Sequence, residues 1–201
     1  MTADDPALPC KLSLFKHINF IEFSVASAAP DLCVIFQYTD MQMIEIQKAK
    51  NKTIISIARG DLLIDNLEND DDQGPLEFLF SDGSVLILGL LPDGESAMCT
   101  WANKQPNKLI DQNCEWKRIF LSKTQPFSDA INDTIIETDT LLFGDGKSSD
   151  VNAGFGFKLK KGNTLIYYNK GDFSKIYWNS LPKKLPAPFF LKWKDSCLKE
   201  I

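Results

Sequence analysis

The sequence predicts a mainly β fold, with antiparallel meanders in two similar β units of about 80 residues and little helix. Three features predict it. Leu76, Phe78 and Phe80 alternate with Glu77 and Leu79, as a strand does whose two faces differ. Val85 to Leu91 is an apolar run of strand length, bounded by Ser81-Asp82-Gly83-Ser84 and Pro92-Asp93-Gly94. Displacing the sequence by 79 residues lays Phe78 on Phe157, Phe80 on Leu159, Gly83 on Gly162 and Leu86-Ile87 on Leu165-Ile166. Each copy reads as a short strand, a polar loop, a hairpin with a Gly turn, and a strand ending near a Trp. Duplication and shared hairpin patterning both account for this likeness.

Taken in order, residues 1–10 read as a loose arm, because Pro6 and Pro9 oppose regular structure. Ile18 to Val25 alternates as a strand. Cys33 to Tyr38 and Met41 to Ile46 fit a hairpin around Thr39-Asp40, since Ile44 and Ile46 stand two apart; a helix from Met41 through Lys50 is the alternative. Thr53 to Ala58 is β-branched, and Leu62 to Ile64 makes a further short strand. Asn66 to Gln73 reads as an acidic surface loop. Ala97 to Trp101 returns beside the apolar run, and Ala102 to Cys114 is a polar connection.

Glu115 to Ser122 is a strand with Ile119 and Leu121 on one face. Pro126 to Asn132 holds a turn of helix with Ser128 placed to cap it. Thr134 to Glu137 and Thr140 to Phe143 are short strands, and Gly144 to Ala153 is a loop. Gly154 to Leu159, Thr164 to Tyr168 and Ser174 to Trp178 form the second meander. A Pro-rich aromatic tail then runs through Phe189 to Trp193. The organisation expected is an acidic N-terminal unit over 1–105 and a basic C-terminal unit over 106–201.

Charge supports that division. Residues 1–100 hold 6 Lys and Arg against 16 Asp and Glu, while 101–201 hold 16 against 11. The net charge of −5 argues against a nucleic-acid partner. No apolar run approaches the ~20 residues that span a bilayer, and Met1 to Cys10 lacks the basic start of a secretory leader, so a cytoplasmic location without membrane contact is expected. Cys10, Cys33, Cys99, Cys114 and Cys197 are odd in number and widely spaced, which fits reduced structural thiols.

The chemistry-bearing motifs are incomplete. His17 is the single histidine, so His-rich metal sites and His pairs are out. Glu68 to Gly74 misses the EF-hand register, with Gly74 one residue late. Gly146-Lys147-Ser148 lacks the earlier glycine of a phosphate loop, Leu141 standing there. Asp61, Asp65, Glu77, Asp139 and Asp145 supply carboxylates, but no spacing selects a facing pair. The sequence implies no cofactor, no metal site and no catalytic residues.

Two sets of residues remain as binding candidates. Glu68, Asp70, Asp71 and Asp72 form a dense anionic stretch that would steer a basic partner. Tyr167, Tyr168, Tyr177 and Trp178 are expected to line one sheet face with Lys158, Lys160, Lys161 and Lys175 nearby, and Tyr177, Trp178 and Trp193 are residue types that favour interfaces and stacking. The expectation is a non-catalytic protein-binding module, such as a cytosolic inhibitor or immunity protein whose partner is a basic toxin domain. A carbohydrate- or small-ligand-binding β domain is the alternative, and a carboxylate-based hydrolase the second alternative.

Overall fold

The computed structural model describes residues 41–64, 67–91, 94, 96–103, 109–111, 114–145, 150–169, 174–183 and 190–194. The first sheet contains β1 (Ile54–Ile64), β2 (Leu67–Phe80), β3 (Val85–Leu90), β4 (Ala97–Ala102), β5 (Leu109–Asp111) and β6 (Cys114–Phe120), in the order β4-β3-β2-β1-β6-β5. The second contains β7 (Ile135–Gly144), β8 (Val151–Leu159), β9 (Thr164–Asn169), β10 (Ser174–Trp178) and β11 (Phe190–Trp193), in the order β10-β9-β8-β7-β11. Every pairing within the two sheets is antiparallel. The protein is therefore mainly β, as its alternation requires.

The two sheets pack through one apolar interior. Period-2 alternation sends Ile57, Leu76, Phe78, Phe80, Leu86 and Leu88 inward from the first sheet, and Phe155, Phe157, Leu159, Leu165 and Tyr167 inward from the second. The Phe78 and Phe157 rings meet at 5.2 Å between centroids. Removing either ring deletes a wholly buried aromatic side chain, for which about 3–5 kcal/mol is usual. No helix among the described residues is long and apolar enough to cross a membrane.

The two units repeat one another in strand order and in detail. In each, a meander of four strands precedes a strand that returns to the far side of the first: β6, reached through the extra edge strand β5, beside β1, and β11 beside β7. The meander turns are alike. Phe80 N–H donates to Ser84 O at 3.0 Å and Gly83 N–H to Phe80 O at 2.9 Å; Leu159 N–H donates to Asn163 O at 2.8 Å and Gly162 N–H to Leu159 O at 2.9 Å. Gly83 at φ +83° and Gly162 at φ +94° adopt the left-handed conformation that each turn requires.

The units join where both first strands begin. Ala49-Lys50-Asn51-Lys52-Thr53-Ile54-Ile55 and Ala130-Ile131-Asn132-Asp133-Thr134-Ile135-Ile136 share five residues of seven in register. Thr53 bridges Thr134 antiparallel, and their hydroxyl oxygens are 3.0 Å apart. The surrounding bonds are reciprocal. Asn51 N–H donates to Ile135 O at 2.7 Å and Asn132 N–H to Ile54 O at 2.8 Å. Ile54 N–H donates to Asp133 O at 2.9 Å and Ile135 N–H to Lys52 O at 3.0 Å. The joint has the pattern of a local two-fold.

Several sequence expectations are corrected. Residues 41–47 are helical (α1), not a strand. Gln42, Ile46 and Ala49 are buried at spacings of four and three, while Met41 and Ile44 are exposed, so helical periodicity overrides the Ile44/Ile46 alternation. The acidic stretch 68–72 belongs to β2 rather than to a loop, with Leu63 opposite Glu68 and Asp61 opposite Gln73. Backbone pairing in a long hairpin tolerates that charge density. The segments expected at 53–58 and 62–64 fuse into β1 across bulges, and those at 134–137 and 140–143 fuse into β7 through an unbroken register from Glu137 to Leu141.

The turn of helix after Pro126 is a 3-10 helix, Phe127–Ala130. Ser128 lies inside it and makes no cap; Pro126 holds the N-cap position without a side-chain bond. β5 and β6 lie in the first sheet, which extends to Phe120. The expected strands at Ile18–Val25 and Cys33–Tyr38, and His17, lie outside the described residues.

Asn51 at φ +68° and Asn132 at φ +60° occupy equivalent left-handed positions at the joint. Replacing either with Ala should cost about 1–2 kcal/mol, because a Cβ-bearing residue without a polar side chain is penalised there. Glycine at either site should stay within about 0.5 kcal/mol of wild type. Urea denaturation checks both, and the two Ala variants should lose similar stability.

Candidate interaction face

A second apolar cluster lies on the outer face of the second sheet. Where Leu165, Tyr167, Ile176 and Trp178 point inward, their neighbours Ile166, Tyr168 and Tyr177 point outward. Leu141, Ala153, Ile166 and Tyr168 form a buried floor, and partly buried Phe143, Tyr177, Leu191 and Trp193 pack around it. Register fixes one row across the sheet: Lys175, Tyr168, Gly154, Leu141 and Trp193 lie on successive strands from β10 to β11. Gly154 is required in that row, since a Cβ there would come within 2.1 Å of the Tyr167 carbonyl oxygen.

The rim is aromatic and its cations are held. Tyr168 and Tyr177 pack edge to face at 6.2 Å, and the Lys175 ammonium sits 5.7 Å from the Tyr177 ring centre. Lys158 pairs with Glu137 at 3.3 Å on the same face, while Lys192, which alternates with Leu191 and Trp193, pairs with Asp150 on the other. Burial raises the ionisation of both phenols, with the neighbouring Tyr177 adding to the effect at Tyr168. Both therefore stay neutral hydroxyls in the physiological range.

The candidate residues of the sequence separate in space. Tyr177 and Trp193 join the same outer cluster. Trp178 does not: it faces inward and meets Phe127 edge to face at 6.3 Å. Tyr167 is also inward, wholly buried, with its ionisation pushed up by desolvation and eased by a bond to Ser174. Tyr167, Tyr168, Tyr177 and Trp178 thus occupy two faces rather than one. Glu68, Asp70, Asp71 and Asp72 lie near the far end of the β1–β2 hairpin, whose innermost pair is Ile64 with Leu67; their side chains are outside the described ones. Tyr168, expected among these aromatics, lies in the outer cluster, whereas Phe143 and Leu191 were missed in the sequence.

Glu77 is buried on the outer face of the first sheet and ion-pairs with Arg118 at 3.0 Å across β1. Asp139 shares a row with Tyr177, Ile166 and Gly156 on the outer face of the second sheet, so these two carboxylates lie on opposite sides of the molecule. Among the described residues no group of three His, Cys, Asp or Glu is arranged to hold a metal ion. Comparison with protein-family models, with curated proteins and with solved structures finds no match for this chain.

Cys99 is buried on β4, and its Sγ donates to the Gln42 carbonyl at 3.5 Å. Desolvation, aided by the Glu45 charge, pushes the thiol up to about 12. Raised ionisation keeps the reactive thiolate scarce at pH 7–9. The Cys99 peptide should therefore resist iodoacetamide in native protein across that range and label in urea, read by mass spectrometry. Native labelling at the rate of a free thiol contradicts this placement.

Proposed function

We propose that this chain is a non-catalytic protein-binding module, acting in the cytoplasm as an inhibitor or immunity protein against a basic toxin domain. The observation that carries the reading is the partly exposed aromatic rim of the second sheet, Phe143, Tyr177, Leu191 and Trp193 over a buried apolar floor. Tyr and Trp concentrate binding energy at interfaces because they bury large area at little conformational cost. The floor holds them in place before any partner arrives, which lowers the ordering cost of association. Pairing of Lys158 with Glu137 on that face reduces the repulsion a basic partner meets there. Glu68, Asp70, Asp71 and Asp72 serve as the steering charges.

Two variants test the reading by surface capture from the native host, with thermal melting as the control for folding. Trp193→Ala should weaken retention of a captured protein at least ten-fold, the loss of an aromatic anchor costing about 2 kcal/mol or more. Joint replacement of Asp70, Asp71 and Asp72 by Asn should slow association and flatten its dependence on salt, leaving dissociation nearly unchanged. Capture of no protein, or binding of oligosaccharide with quenched tryptophan fluorescence, overturns the proposal in favour of a carbohydrate platform.

A further inference from the structure

The two units end their meanders on equivalent edge strands that are finished differently. On β4, Leu91 N–H donates to Ser96 O, which fixes the alternation and turns the N–H groups of residues 97, 99 and 101 away from β3. Helix α1 meets that edge: Cys99 N–H donates to Gln42 Oε1 at 2.5 Å, and Trp101 Nε1 donates to Glu45 O at 3.0 Å. On β10, Asn179 N–H donates to Thr164 O, so the backbone groups of Ile176 and Trp178 turn away from β9. Ile176 is the counterpart of Cys99 in strand order. Among the described residues no donor or acceptor reaches the outward backbone groups of Ile176 or Trp178. The helix on this side is the four-residue 3-10 turn, which touches Trp178 through Phe127 alone of its rings.

An open edge with unpaired N–H and C=O groups is a template for another strand. We propose that β10 pairs antiparallel with β10 of a second copy of this chain, about a two-fold axis at Tyr177, joining two five-stranded sheets into one. The register follows from the outward groups. Ile176 of one copy exchanges both backbone bonds with Trp178 of the other, and the reverse, giving four hydrogen bonds. Tyr177 then faces the partner's Tyr177 as a close non-bonded pair, an aromatic contact favoured across strands. Lys175 falls opposite the partner's Asn179, so like charges do not oppose one another. This self-complementarity selects a second copy over an unrelated strand. The outer aromatic clusters of the two copies become neighbours on one sheet, which extends the binding face without depending on it.

Sedimentation velocity on the full chain, with no partner added, tests the pairing. Wild type should show a concentration-dependent monomer–dimer equilibrium between about 1 and 100 μM, the range of modest interfaces. Tyr177→Glu and Tyr177→Lys should each raise the dissociation constant at least ten-fold, because each sets like charges face to face. Mixing the two variants should restore the dimer. Circular dichroism melting confirms that each variant is folded. A wild type that stays monomeric throughout, variants that dimerise as before, or a mixture that fails to re-associate overturns the proposal. Trp193→Ala, on the opposite edge of the sheet, should leave this equilibrium unchanged while weakening partner capture, so the two readings fail separately.

Discussion

The short reciprocal ladder between Thr53 and Thr134 is the constraint on which the rest of the structure depends. Four backbone hydrogen bonds of 2.7–3.0 Å run between 51–54 and 132–135, two in each direction, around one hydroxyl contact. They fix where β1 and β7 begin. Each of those strands then carries its own meander on one side and its returning strand on the other. The next link is also reciprocal: Ser81 N–H donates to Thr53 O and Lys160 N–H to Thr134 O, both at 2.9 Å. The first hairpin of each unit is thereby tied to the joint, and Phe78 and Phe157 arrive opposite one another in the interior. Packing follows from the positions of two threonines.

Departures from the repeat are where each unit acquires its own properties. Lys52 pairs with the turn residue Asp82, holding that carboxyl well below the usual range together with bonds from Ser84. At the equivalent place the roles reverse: Asp133 is buried and accepts from the backbone N–H of Lys161. The ion pair of the first unit is thus replaced in the second by a backbone hydrogen bond to the strand-entry carboxylate. Glu77 of the first unit corresponds to Gly156 of the second, so one outer face carries a buried ion pair and the other an apolar floor. Gln42 of α1 closes one edge, whereas among the described residues no hydrogen bond reaches the outward backbone groups of Ile176 and Trp178 on the other.

Much of this was legible in the residues. Alternation with glycine turns located β3, β4, β8, β9 and β10 to within a few positions, because side-chain period and turn conformation are local properties. The 79-residue displacement also anticipated that Phe78 and Phe157 are equivalent. The joint escaped notice because Asn51-Lys52-Thr53 and Asn132-Asp133-Thr134 are displaced by 81 residues rather than 79. The change of offset falls within the long first hairpin of each unit. Helix α1 was hidden by Ile44, an exposed apolar residue that mimics alternation. Half of the aromatic face was misread because Trp178 is adjacent to Tyr177, and adjacent strand residues point to opposite sides. Nothing local tells which side is the interior; that depends on the partner sheet.

Native-state hydrogen exchange followed by NMR tests the central claim most directly. If the Thr53–Thr134 joint holds the two units as one cooperative body, the amides of Asn51, Ile54, Asn132 and Ile135 exchange only through global unfolding. All four then share one free energy, equal to that from urea denaturation, with the protected amides of both sheets. Exchange of these four well below the global value, with the two sheets opening at separate free energies, would contradict the account.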